Sequence, residues 1–378
     1  MPTITIERRT IEPGRRILVT SDIHGHKEHL RAVLEQAAFT SDDLLIIVGD
    51  IIEKGPDSLG TLRYIMELHE RGNVIVTAGN VDQWRMDMLD RLCEERVPEF
   101  FEYLQTMRKR WKKTSLFDEM TAELGFRVVH RNQLLGAKER VEKHFSAELA
   151  FLRSRPTILE TQNFTFVHAG LPTADLESLR GRSIYDVLGL GDFMSKAGKF
   201  DKYVVVGHWP VTLYSDRIAQ ANPIIDTERR IISIDGGCGL KSDGQLNLLI
   251  IPHIDCDESE ISHIWYDGFP VVRALTPQRG ADVPLGSREW MNIRWGDNKI
   301  TVLDRVDDFV FASHDRTGHR FWMPASYLYS DGVSCNDYTD RTLPVNIGDR
   351  LALVMETSRG YIVKKNGETG WYRGEILR

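Results

Sequence analysis

The chain has 378 residues, 42% hydrophobic and 27% charged, and its 48 basic against 55 acidic residues give a net charge of -7. That length exceeds one ordinary domain and the composition suits a globular protein with a sizeable core, while the mild acidity argues against nucleic acid or anionic lipid as a bulk partner. Cys93, Cys238, Cys256 and Cys335 form no C-x-x-C pair, the first sixteen residues are polar, and no run reaches the ~20 apolar residues of a membrane span, so a reducing, cytoplasmic setting is expected.

Short β-branched runs alternate with helical spacing through the first part of the chain. Ile17–Thr20 and Leu44–Val48 read as buried strands, followed by Val74–Thr77, Phe164–Val167 and Tyr203–Val206, with amphipathic helices over 27–38 and 58–71. Residues 81–155 read as a helical insertion. Its basic run at 108–113 reads as a solvated helix face, the rival reading being that it steers an anionic substrate or touches RNA. Strands at 231–234, 246–251 and 261–266 complete a second sheet. Together these predict a layered α/β domain over residues 1–272. The turn-rich stretch 276–286 reads as a linker. Beyond it helical periodicity disappears, and 288–378 reads as an all-β module. Its strongest signal is a hairpin about Asn366-Gly367, preceded by an echo at Phe309–Phe311 and Arg320–Trp322, which predicts two small SH3-like barrels.

Each predicted strand of the α/β part runs into a metal-ligand residue type beside glycine or alanine. These are Asp22-Ile23-His24-Gly25, Gly49-Asp50, Gly79-Asn80, His168-Ala169-Gly170 and Gly207-His208. Sites assemble at the carboxyl ends of such strands. A mixture of Asp, His and Asn suits manganese, iron or zinc better than calcium or copper. Asp235-Gly236-Gly237-Cys238-Gly239 lacks the ending of a nucleotide-binding loop and reads as a tight turn near the site.

This ordered set, from about residue 16 to 239, resembles the calcineurin-like metallophosphoesterases, nearest to phosphoprotein phosphatases and symmetrical diadenosine tetraphosphate hydrolases. The resemblance implies an αββα four-layer β-sandwich and two divalent ions, with manganese expected and iron or zinc as alternatives. It implies that Asp22, His24 and Asp50 hold one metal, and that Asp50 bridges to a second completed by Asn80, His168 and His208. It further implies in-line attack on phosphorus by a metal-bridging hydroxide.

Two positions depart from the phosphoprotein phosphatase pattern. Lys54 stands where that family has a phosphate-binding arginine, replacing a bidentate fork with a point charge. In Gly79-Asn80-Val81-Asp82 the histidine assigned to protonating the leaving group is missing, which leaves Asp82 or His26 as candidate acids. The expected function is hydrolysis of phosphate esters or anhydrides, written as phosphoprotein phosphatase-like with dinucleoside polyphosphate hydrolysis as the alternative. The rival from another class is a non-catalytic metal-binding scaffold whose barrels bind a peptide partner through Trp322, Tyr361, Trp371 and Tyr372.

Overall fold

The computed structural model describes residues 2–280 and 290–378. They separate into two units, one comprising Met1–Trp209, Pro223–Leu240 and Leu246–Tyr266, the other Pro210–Asn222, Lys241–Gln245 and Asp267–Arg378.

In the first unit Ile17–Thr20, Leu44–Val48 and Val74–Thr77 run parallel; Leu246–Ile251 joins Ile17–Thr20 antiparallel, and Ser262–Tyr266 pairs antiparallel with Leu246–Ile251 at the edge of the same sheet. A second sheet has the order Ile6–Arg8, Ile158–Glu160, Phe164–Val167, Tyr203–Val206, Ile231–Ser233, Ile224–Asp226. Side chains of a strand alternate between faces, and Leu44–Val48 shows the consequence. Leu44, Ile46 and Val48 pack with Phe166, Val205 and Ile232 of the second sheet, while Leu45 and Ile47 pack with Leu30, Leu62 and Ile65 of the helices Lys27–Gln36 and Ser58–Glu70. A strand covered on both faces reads as a continuous apolar run, which is why it was legible. These contacts give the layer order helix, sheet, sheet, an α/β sandwich with helices packed on one outer face.

The insertion holds the helices Asn80–Asp90, Val97–Gln105, Leu116–Glu123, Leu134–His144 and Ser146–Arg153. Its basic run is not uniformly a solvated face. Arg108, 10% exposed, is pinned by the Asp118 carboxylate and donates to the Val128 carbonyl at 2.8 Å.

The second unit is all β. Ile376–Leu377, Val271–Ala274, Arg350–Thr357, Gly360–Lys365, Glu368–Tyr372 and Ala219–Gln220 form one antiparallel sheet, joined by a three-stranded and a two-stranded sheet. The hairpin about Asn366-Gly367 is present, with both residues at positive φ (51° and 78°) as a type I′ turn demands. Neighbouring residues in its strands serve opposite cores. Ile362 and Trp371 pack with Phe309, Phe321 and Met323, and Val363 and Tyr372 pack with Val272 and Leu351. One sheet shared by two cores takes the place of the expected pair of barrels. Trp371 and Tyr372, offered as peptide contacts, are core residues, 2% and 0% exposed; Trp322 stacks on Phe311 and Tyr361 on Tyr372.

The division also departs from the expected 1–272 and 288–378. Residues 210–222 and 241–245 join the second unit because Ala219–Gln220 pairs with Glu368 and Thr369, and Asn292 donates to the Thr212 and Ser215 carbonyls. The first residues of the expected linker are docked rather than free: Gln278 pairs with Val345 and donates to the Leu343 and Trp371 carbonyls. Its part from 281 to 286, and the first two residues of the expected all-β module, lie outside the described residues.

Candidate metal centre

The parallel registers bring the carboxyl ends of five strands to one edge, and the six expected ligands stand on the loops that follow them. Two of these loops are bonded to each other: Asp22 N–H donates to the Gly49 carbonyl (3.1 Å) and His24 N–H to the Asp50 carbonyl (3.0 Å). Asp22, His24, Asp50 and His208 all adopt left-handed backbone, with φ of 53°, 47°, 53° and 66°. Such backbone costs roughly 1–3 kcal/mol per residue and persists where the surroundings over-determine it, typically at functional sites. Gly79 and Gly207 permit the close approach. A Cβ on Gly79 would collide with Asp50 and one on Gly207 with Asp22.

Asp22, His24 and Asp50 are buried and each offers a donor atom within 4.8 Å of the others. His24 Nε2 lies 3.8 Å from Asp22 Oδ1 and 3.7 Å from Asp50 Oδ2. The other oxygen of Asp50 faces His168 Nε2 at 3.5 Å. Asn80 Oδ1 is 2.8 Å from His168 Nε2 and 2.9 Å from His208 Nδ1. The two Asp50 oxygens thus look into two donor groups, one of Asp22 and His24, the other of Asn80, His168 and His208. His168 Nδ1 donates to the Val48 carbonyl at 2.9 Å, which leaves Nε2 as the lone-pair nitrogen, the orientation that ligating histidines commonly require. Asp22, His24, Asp50 and His168 are buried and Asn80 and His208 partly so, and these donors, converging in two groups on a shared carboxylate, fit a pair of divalent ions.

The electrostatics agree. Burial pushes the His24 imidazole down, helped by Lys54, and burial with His168 pushes His208 down to about 4, so both rings are neutral, the form that binds metal. Burial and the charge of Asp50 push Asp22 up, whereas for Asp50 burial is outweighed by His168, His24 and Lys54, which hold it below its ordinary value. Two buried carboxylates this close resist double ionisation until a cation joins them.

The remaining candidates are placed as follows. Lys54 Nζ reaches His24 Nε2 at 3.1 Å. Val81 is buried, and its N–H holds Asp50 Oδ1 at 2.8 Å. His26 Nδ1 is turned back on the carbonyls of Ile23 and His24 (3.1 and 2.9 Å), and burial and His29 lower its pKa. Asp82 is 4% exposed, and its Oδ1 accepts the Ile51 and Ile52 N–H groups at 3.0 and 3.3 Å. That geometry accounts for Asp82 as a buttress of the turn carrying Asp50. Asp82→Asn, which keeps an acceptor, should hold most activity and stability. Asp82→Ala should lose about 1–3 kcal/mol by stranding buried N–H groups, as thermal denaturation would show. If Asp82→Asn abolished turnover in a folded protein, a proton-transfer role would replace the buttress.

Three residues were passed over in the sequence. Asp235 follows Ile231–Ser233 at another strand end, the same signal as the ligands. It is fully buried, accepts the Gly237 N–H at 2.7 Å, and burial and Asp22 raise its pKa well above the ordinary value. Glu53 gathers the Tyr103 hydroxyl (2.8 Å) and the Leu116 N–H (3.2 Å). Lys113, dismissed with the basic run, is half-buried three residues before Leu116. Its electrostatic neighbours include Cys238, Lys54 and His26, and burial above all lowers its pKa.

A family profile described as calcineurin-like phosphoesterase matches residues 15–226. Similar curated proteins include the symmetrical bis(5'-nucleosyl)-tetraphosphatase of Cellvibrio japonicus (35% identical over 123 residues, 29% of this chain and 42% of that one). Another is that of Buchnera aphidicola subsp. Acyrthosiphon pisum (41% over 63 residues, 16% and 22%). The chain therefore spans well under half the length of these relatives. Among solved structures, a serine/threonine phosphatase from Saccharomyces cerevisiae aligns with a TM-score of 0.42 and 11% identity over 71% of this chain and 85% of that one. Among the described residues no helix is long and apolar enough to cross a membrane.

Proposed function

Because the chain belongs to the calcineurin-like phosphoesterase family, we propose that it is a two-metal hydrolase whose preferred substrates are phosphate anhydrides of the dinucleoside polyphosphate kind. The observation that carries this choice is Val81. Where the resembled phosphatases place a proton-donating imidazole, this chain has a buried aliphatic side chain whose backbone is engaged by Asp50. General acid assistance typically contributes ~10²–10⁴-fold, and most where the leaving group is a poor one such as an alkoxide. A phosphate leaving an anhydride is already stable as an anion, so Val81 costs that reaction little. The curated relatives named above act on the same class of bond.

Asp22, His24 and Asp50 would hold one ion, and Asp50, Asn80, His168 and His208 the other. Two divalent ions, manganese by this borderline donor set with iron or zinc as alternatives, would supply Lewis-acid polarisation of the phosphoryl group and an activated water. The chain's own part is to position and neutralise. Lys54 lies beside the ligand cluster, and Lys113 approaches it from the insertion. A substrate with several phosphates can engage both cations at once, whereas a monoester presents one group to share between them. Lys113→Ala should accordingly raise KM for diadenosine tetraphosphate about tenfold, the low end for a charge-assisted hydrogen bond, with a smaller effect on an aryl phosphate.

The test is manganese-dependent turnover of diadenosine tetraphosphate against a phosphothreonine peptide, with chelated enzyme as control. The expected result is faster turnover of the nucleotide. Faster turnover of the peptide would overturn the anhydride reading and imply a proton donor other than residue 81.

A further inference from the structure

The helix Asn80–Asp90 starts at the metal centre, and its exposed face leads away from it. Residues 80, 84, 87, 88 and 91 fall on one side of a 3.6-residue helix. Asn80 is the proposed ligand at the start of that stripe. Trp84, one turn on and about 6 Å along the axis, is 53% exposed, which is unusual for the largest apolar side chain. Beyond it Trp84, Asp87, Met88 and Arg91, with Phe100 and Tyr185, line a half-open cavity of about 280 Å³. The walls are built rather than incidental. Tyr185 Oη donates to Asp87 Oδ2 at 2.8 Å, Gln83 fixes the other Asp87 oxygen at 2.8 Å, and Arg85 lies over the Trp84 ring at 4.9 Å.

We propose that this cavity is the nucleoside subsite, in which a purine base stacks on Trp84 while the phosphates attached to its ribose reach back along the helix to the metal centre. The inference rests on the anhydride reading and deepens it. Three observations favour this occupant over a peptide. The volume suits one base and sugar rather than an extended segment. A tryptophan face at the mouth is the sequence-tolerant platform on which bases stack. Trp84 itself stands one turn from Asn80, so a base stacked at the Trp84 end of the cavity keeps its own phosphates within reach of the metal centre, and both ends of one molecule can be held on a single rigid helix.

The test is a binding titration on the manganese-loaded enzyme, with ADP as the base-bearing probe and inorganic pyrophosphate as the base-free one. Trp84→Ala should weaken ADP about tenfold or more, with Trp84→Phe keeping most of the affinity and neither change altering pyrophosphate binding. KM for diadenosine tetraphosphate should rise in parallel with the ADP loss. Equal ADP affinity in wild type and Trp84→Ala overturns the subsite, as does equal weakening of both probes, which would mark a damaged metal centre instead. If the wild-type enzyme fails to cleave diadenosine tetraphosphate yet binds ADP through Trp84, the subsite stands and the anhydride reading falls.

Discussion

Replacing Asp50 by asparagine is expected to reduce manganese-dependent hydrolysis by well over a hundredfold while leaving the fold intact. Among the described residues Asp50 is the one whose two oxygens face both donor groups, His24 on one side at 3.7 Å and His168 on the other at 3.5 Å. An asparagine carbonyl can still accept the Val81 N–H that Asp50 Oδ1 now holds, so the turn keeps its backbone support. What disappears is a negative charge shared between two cation sites and one of its two ligand oxygens. Loss of a mere outer-shell partner typically costs 10–100-fold in metal affinity or activity, and a shared ligand should cost more. The second readout is thermal. Manganese at a hundredfold excess over its Kd should stabilise the wild type by about 2.7 kcal/mol, which for a unit of this size is about 5–10 °C in Tm. Asp50→Asn should lose most of that increment. Full turnover and an unchanged metal-induced shift in the variant would remove the two-metal assignment.

The second large effect is expected at Glu53, and it should fall on stability before chemistry. Glu53 is 1% exposed, accepts the Tyr103 hydroxyl and the Leu116 N–H, and faces Arg85 at 3.4 Å; Arg85 in turn lies over the Tyr103 ring at 3.9 Å. Removing one partner from a buried ionic group usually costs about 3–5 kcal/mol, because the other charge is left without compensation. Glu53→Ala should lose that amount in denaturant unfolding, whereas Tyr103→Phe alone should lose about 1 kcal/mol. The two changes should be less than additive, since they share one network. Leu116 follows Lys113 by three residues, so loosening this anchor should also raise KM for diadenosine tetraphosphate while metal affinity holds. A Glu53→Ala protein as stable as wild type would show that the insertion is held by its apolar contacts alone.

The candidate metal centre was legible because its signal is local and repeated. Each ligand follows an apolar strand by a few residues, and that order survives any uncertainty about how the strands pair. The same logic reaches Asp235, which sits at one more strand end and was passed over because its glycine-rich surroundings suggested only a turn. The hairpin at Asn366-Gly367 was equally local. Lys113 was not legible, because in sequence it belongs to a basic run and only the anchoring of Leu116 by Glu53 carries its loop toward the site.

What the sequence by itself determined is therefore the donor types, their order along the chain, and the absence of an imidazole at Val81, on which the proposed anhydride preference rests. Tertiary structure alone decided which residues share a neighbourhood. It placed Asp82 against the Ile51 and Ile52 N–H groups, thirty residues away in sequence, so the candidate acid also supports the turn carrying Asp50. It merged two expected barrels around one sheet and drew Ala219–Gln220 into the second unit by pairing with Glu368 and Thr369. The physical reason is common to all three. Local propensity and spacing are written in adjacent residues, whereas hydrogen-bond satisfaction and burial are settled between residues that only the folded chain brings together.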